Sequence, residues 1–364
     1  MGLMRFLLAM SVVVWHLQRG VLLIPGGLAV EVFFAISGFY MSLILTGKYR
    51  DRTTFYTNRF LRLYPVYFVV SLGTWAWTFV VWAYLGRAPT GFVRYLQMSF
   101  WEHALLFINN WTMVGLDIPM WFYYSVDKGV QLFHYGMGGG LTIGPTWSIG
   151  LEIWFYLLAP FLVALRSRWI VLMAVLSVAL KITMATLHLK PDFFFPAQLC
   201  FFLVGILLHR VYADRFVGNF DGRIGWAVLM TVLALFLLYN RIPEPFATYL
   251  IYVTFIPAIP ILFALTRKNR FDLNLGNLSY PIYVVHSLVL WIAAAVFHHL
   301  YGDVNGLKLV MISLVSIGGV LFVSIILYIV IDKPVDEMRQ HRLATGRASP
   351  QREASQAINV MQQA

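Results

Sequence analysis

Ten apolar stretches, separated by short polar or basic segments, run along the whole chain. The clearest cover 63–85, 143–165, 245–266, 278–297 and 309–331. Each is long enough for a helix to cross a bilayer core of roughly 30 Å at about 1.5 Å per residue. Four shorter stretches, 28–45, 169–187, 193–208 and 224–240, have the same character. The first, 3–17, is the most broken, because Arg5, His16 and Arg19 interrupt it. The runs are continuous rather than alternating, which excludes a β-barrel. The pattern predicts an all-α fold: a polytopic transmembrane helical bundle of about ten spans. The first run also has the outline of a signal peptide, with Arg5 ahead of an apolar stretch at 6–17. No small-residue cleavage site follows it, so it reads as a helix that stays in place.

Two segments stand outside this pattern. Segment 86–142 is long, and its part 92–114 is semi-apolar but carries Arg94, Glu102 and His103. An eleventh span there would invert every later loop, so it reads as an interfacial or re-entrant piece. After Asp332 the chain turns polar, with Ala, Ser, Gln and Arg, and a flexible tail is expected. The expected division is a membrane domain at 1–332 and a cytoplasmic tail at 333–364. No solenoid repeat or two-half symmetry is visible.

Composition narrows the class. Hydrophobic residues make up 60% of the chain and charged residues 12%, where a soluble domain carries about 25% charge. A disordered protein, a coiled coil and a soluble enzyme are excluded. Cys200 is the single cysteine, so an intramolecular disulfide, a cysteine metal cluster and a C-x-x-C redox site are excluded as well.

The net charge of +11 raises nucleic acid as a partner, but sidedness accounts for it. Ten spans put both termini on one side. Segments 48–62, 166–168, 209–223, 267–270 and 332–364 on that side hold eighteen Lys and Arg, against seven in the opposite loops. The positive-inside rule makes the richer side, with both termini, cytoplasmic.

The ionisable residues within the spans are few: Arg5, His16, Glu31, Glu152, Lys181 and His286. Each is costly at membrane depth and so becomes a functional candidate. For Lys181 the favoured reading is structural, a long stem reaching an interface. Arg5 and His16 are eleven residues apart, three turns and about 20°, which puts them on one helix face. They are separated by about 16 Å along the axis. That places an anion-binding head near the inner surface and a base deeper in the bundle. A hydrogen-bonded structural histidine fits the spacing equally well.

Arg59 and Arg62, in Asn58-Arg59-Phe60-Leu61-Arg62-Leu63-Tyr64-Pro65, share a face at the inner end of the third span. Two guanidinium forks suit phosphate oxygens, and also suit an ordinary positive-inside anchor. Ser148 and Glu152 are helix neighbours four apart, followed by Trp154, Phe155 and Tyr156. The carboxylate could orient a histidine, hold a sugar hydroxyl or neutralise an arginine, and the aromatic rings suit a sugar face. Glu31 precedes Ser37-Gly38, a small pair that also permits close helix packing.

Taken together, these segments resemble the acyltransferase-3 family of integral membrane acyltransferases, which modify bacterial surface glycans and related carbohydrates. The matching pieces are Arg5 with His16 after ten intervening residues, the Phe-Phe-x-x-Ser-Gly-Phe element within 30–39, and Arg59-Phe60-Leu61-Arg62. Trp147-Ser148 with Glu152, Phe155-Tyr156 and Pro160 follows, then Leu275-Gly276-Asn277-Leu278-Ser279-Tyr280 with Tyr283 and His286. Each alone is weak; five in order on ten spans is specific.

The resemblance implies an acyl-CoA donor, acetyl-CoA foremost, on the cytoplasmic side of a bacterial inner membrane, and a carbohydrate acceptor outside. It implies that His16 is catalytic with Arg5 beside it; on the reading of the residues above, Glu152 is expected to orient the acceptor or the histidine. Arg59 and Arg62 take the donor phosphates. Glu31, Ser37, Trp147, Ser148, Tyr156 and His286 are the expected substrate-binding residues. No metal is implied. His16 either deprotonates the sugar hydroxyl or first takes the acyl group itself. Only four residues precede Arg5 and no extracytoplasmic hydrolase-like domain is fused, so a glycan-assembly partner that delivers the acceptor fits this arrangement. A transporter or flippase for a glycan-linked or anionic substrate is the alternative class. A thiol-based transferase is disfavoured, because Cys200 is mid-span without a local histidine.

Overall fold

The computed structural model describes residues 1–17, 23–47, 51–85, 100–125, 129–132, 143–215, 220–302 and 306–342. Helices occur at α1 (Gly2–His16), α2 (Gly26–Gly47), α3 (Arg52–Leu85), α4 (Phe100–Thr112) and α5 (Ile118–Trp121). A short hairpin follows, β1 (Phe122–Ser125) antiparallel to β2 (Gly129–Leu132), with Tyr123 opposite Gln131. Then come α6 (Trp147–Leu162), α7 (Ser167–Thr186), α8 (Phe195–Arg215), α9 (Gly222–Leu238), α10 (Phe246–Thr266), α11 (Arg270–Tyr301) and α12 (Gly306–Leu327). A π-turn at Tyr328–Asp332 continues into helix as far as Arg342. The boundary expected at 332 therefore falls inside one helical run, and 343–364 are outside the described residues.

Each of the ten apolar runs coincides with a long helix. Eight of these helices are long and apolar enough to cross a membrane. The other two, α1 and α6, have 15 and 16 residues. The outer helices carry apolar side chains to the surface, such as Val175, Leu176 and Ile182 on α7 and Leu314, Val315 and Phe322 on α12. Contiguous apolar surface of this kind suits lipid rather than water. The chain is a multi-pass membrane protein. The piece expected at the interface contains α4, whose described part is about 20 Å long; 92–99 lie outside the described residues. Tyr67 of α3 anchors it by donating to the Asn110 carbonyl at 2.8 Å. The hairpin is the departure from an all-helical chain among the described residues; no apolar period announced it.

Two close backbone approaches set the centre of the bundle. A Cβ on Gly38 of α2 would sit 2.0 Å from the Phe202 carbonyl oxygen, and one on Gly205 of α8 would sit 2.1 Å from that of Ala35. Small residues let α2 and α8 touch along their backbones, as membrane helices do, and Phe202 stacks between Phe34 and Phe155. At the other approach, a Cβ on Gly276 of α11 would come within 2.8 Å of the Gly2 Cα. There the Asp272 carboxylate accepts from the Gly2 and Leu3 amides at 2.6 and 2.8 Å, capping α1 from another helix.

The two ends of the bundle differ in their contacts. Arg52 covers the Phe161 ring, Arg210 donates to the Leu165 carbonyl at 2.6 Å, Arg267 donates to Tyr212 at 2.6 Å, and Arg339 donates to Asn58 at 3.3 Å. These contacts gather the basic segments at one end. The other end holds aromatic contacts, among them Trp147 on Phe193.

Candidate active site

A cavity of about 490 Å³ opens between α1, α2, α3, α6, α11 and the last helical turns. Its walls bring together Arg5, Ser37, Arg59, Arg62, Ser148, Glu152 and Tyr156, seven candidates drawn from four helices. With Arg339, the cavity carries four arginines against the two carboxylates Glu152 and Asp336. The balance is positive and suits an anionic ligand.

Glu152 is the polar centre of one wall. Ser37 donates to its Oε1 at 2.8 Å, and Tyr156 donates to the same oxygen. Tyr156 is one turn along α6 from Glu152, and the Arg59 guanidinium stands 5.9 Å from its ring centroid. Arg5 of α1 lines the same cavity as Arg62, Tyr40, Glu152 and Tyr156. Arg62 Nη1 donates to both oxygens of Asp332, at 3.2 and 3.1 Å. Deeper in, Ser148 Oγ and Tyr283 OH are 2.5 Å apart, and both reach the Pro145 carbonyl, at 3.3 and 3.0 Å. Tyr283 is thirteen residues into α11, about 20 Å from its start at the basic end.

His16 and His286 are not in the cavity wall; they pair with each other just past Tyr283. Their ring centroids are 5.0 Å apart. His16 Nδ1 is 2.9 Å from the Val12 carbonyl oxygen, and His286 Nδ1 is 2.6 Å from that of Tyr283. A carbonyl only accepts, so each Nδ1 carries a proton, and in a neutral ring that leaves Nε2 as the acceptor. His286 is fully buried and its Nε2 makes no hydrogen bond among the described residues. His16, the last residue of α1, is exposed. The molecule thus has arginines at one end of a cavity and a pair of imidazole rings behind its far wall.

Two candidates are elsewhere. Glu31 is in an ion pair with Lys181 and accepts a hydrogen bond from Tyr252. Lys181 is also 3.9 Å from Asp192 and lies 4.7 Å from the Phe201 ring centroid. Trp147 packs edge-on against Phe193, 4.7 Å between centroids. The sequence reading missed Tyr40 and the set Asp332, Asp336, Arg339 and Gln340. The signal was present as spacing at i, i+4, i+7 and i+8, one helix face, that starts at the end of the expected membrane domain and continues into the expected polar tail. No group of three or more His, Cys, Asp or Glu that could hold a metal ion occurs among the described residues.

Comparison with known proteins identifies this architecture. The chain is 26% identical over 283 residues to Nodulation protein 10 of Rhizobium leguminosarum bv. viciae, covering 72% of this chain and 71% of that protein. No solved structure matches it. The family model for the acyltransferase domain of the acyltransferase-3 type matches residues 1–329, nearly all of the membrane bundle, and the chain therefore belongs to the acyltransferase-3 family of membrane acyltransferases.

Proposed function

We propose that the protein transfers an acetyl group from cytoplasmic acetyl-CoA to a hydroxyl of a cell-surface or exported glycan, in a bacterial inner membrane. The observation that carries this reading is the polarity of the cavity, from an arginine-lined end to the Tyr283 wall with His286 and His16 behind it. Arg59 and Arg62 hold the donor phosphates, as paired guanidinium forks do, and the acyl-pantetheine arm extends inward toward Ser148 and Tyr283. The glycan hydroxyl enters at the exposed end of α1. Its oxygen attacks the thioester carbon, the C–S bond breaks, and the hydroxyl proton passes to His16 Nε2 and then to the departing thiolate. In the alternative order His16 takes the acyl group first and the glycan then displaces it; the same Nε2 serves both. The Val12 carbonyl fixes the tautomer either route needs. Glu152 orients the acceptor or its neighbouring hydroxyls.

Glycan mass spectrometry of cells with and without the gene tests the reaction, paired with a transfer assay on purified protein. A difference of one acetyl group, with acetyl-CoA consumed, is the expected result. An unchanged glycan together with no transfer from acetyl-CoA would refute it, and glycan movement without acyl-CoA would point to a transporter.

Orientation belongs to the same reading. Reporter fusions at Thr53 and after Arg342 should report cytoplasm, and one at Tyr124 the opposite side, as the charge asymmetry requires. An exported C-terminal fusion would reverse the donor and acceptor ends.

A further inference from the structure

The helix after the Tyr328–Asp332 π-turn runs to Arg342, beyond the residues that the family model matches. Pro334 has no N–H, so the carbonyl four residues back loses its helical donor, and a widened turn absorbs the break. From there Asp332, Asp336, Arg339 and Gln340 fall on one face. That face meets the cavity: Asp332 holds Arg62, while Asp336, Arg339 and Gln340 form part of the wall.

Arg339 is 6% exposed. Its Nε donates to Asn58 Oδ1 at 3.3 Å, and its Nη1 pairs with Asp336 Oδ1 at 3.1 Å. The Asn58 amide nitrogen donates to the Thr54 carbonyl at 2.8 Å, which fixes the amide with its oxygen toward Arg339. A guanidinium does not discharge on burial, and burying an ion carries a desolvation penalty. An anionic ligand would offset part of that penalty.

Position decides which anion. α3 begins at the basic end, so Asn58, with Arg339 on it, precedes Arg59 and then Arg62 on the way inward. Asn58 and Arg62 are about 6 Å apart along the axis, and Arg339 is seven residues beyond the Asp332 that holds Arg62, which puts Arg339 farther out than Arg62. CoA carries its anions in the same sequence. The diphosphate adjoins the pantetheine arm, and the separate 3′-phosphate is on the ribose, farther from the thioester. With the thioester inward, a guanidinium farther out than Arg62 meets the 3′-phosphate. We infer that Arg339, presented by Asn58 on the C-terminal helix, is the specificity residue for the 3′-phosphate of the CoA donor. This rests on the reading of the cavity as the donor site.

The test is calorimetric titration of the full-length protein in detergent with CoA and with 3′-dephospho-CoA. Wild type should prefer CoA by roughly ten- to hundred-fold, the range for a charged hydrogen bond. Arg339→Ala should bind both ligands alike, at the wild-type affinity for 3′-dephospho-CoA. Arg339→Lys should keep part of the preference as a point charge. Arg62→Ala should weaken both ligands and leave the preference intact. Asp336→Asn, which removes a competing carboxylate and keeps the arginine, should widen the preference; it serves if Arg339→Ala does not fold. An Arg339→Ala variant that keeps the preference, or loses both ligands equally, would overturn the assignment, as would an Asp336→Asn preference that is unchanged or narrowed. Equal binding of both ligands by wild type would overturn it too, whereas failure to bind either ligand would remove the donor reading itself.

Discussion

His16→Ala should lower acyl transfer by roughly 10²–10⁴-fold, the usual contribution of a general base, while folded protein and CoA binding persist. The structure makes that separation testable. His16 is exposed at the last position of α1, and its hydrogen bond is local, to Val12 one turn back. Losing it leaves no distant buried group unpaired except the neighbouring His286 ring, so insertion should tolerate the change. The arginines proposed for the donor are at the other end of the cavity and should bind CoA as before. His16→Gln should be equally inactive, because an amide keeps a hydrogen-bonding group without a base near neutral pH. A histidine with a merely structural role gives the opposite pattern, with Gln active and Ala poorly folded. The measurement is turnover by purified wild type and both variants, normalised to folded protein, with CoA binding in parallel. Substantial turnover by the Gln variant would pass the role to His286, whose Nε2 makes no hydrogen bond among the described residues.

The spans were readable because a membrane helix satisfies its own backbone and advertises itself as one uninterrupted apolar run. Interruptions marked the cavity: Arg5, Ser148 and Glu152 break apolar runs, and all three line it. What one dimension could not convey was pairing. Arg62 is held by Asp332, 270 residues away, and Glu31 by Lys181, 150 residues away. No spacing rule reaches that far, so Glu31 looked as available to substrate as Glu152. The Arg339 face was hidden for another reason. Composition was averaged over a polar segment, and a helix-period stripe inside it went uncounted. The β-hairpin has no apolar period, and its cues are those of any loop.

Glu31 offers the second large effect, on stability. Its side chain is 9% exposed and takes the Lys181 ammonium on one oxygen and the Tyr252 hydroxyl on the other. Replacing Lys181 with Met leaves a buried carboxylate with only the neutral Tyr252 hydroxyl, and breaking such a pair costs about 3–5 kcal/mol. Replacing Glu31 with Gln should cost less. The lysine side chain is 23% exposed and has Asp192 at 3.9 Å and the Phe201 ring as remaining company. The asymmetry follows from which ion has somewhere else to turn. The double variant Glu31→Leu with Lys181→Met removes both ions and should recover much of the loss, since a well-packed apolar pair often replaces a buried salt bridge at little cost. Thermal unfolding of the three variants in one detergent, analysed as a double-mutant cycle, measures the coupling. Transfer activity separates this from the substrate-binding expectation for Glu31. If the carboxylate held the glycan, Glu31→Gln would lose activity at unchanged stability, and the double variant would stay inactive however stable it became. If the pair only ties α2 to α7, the double variant regains stability and activity together.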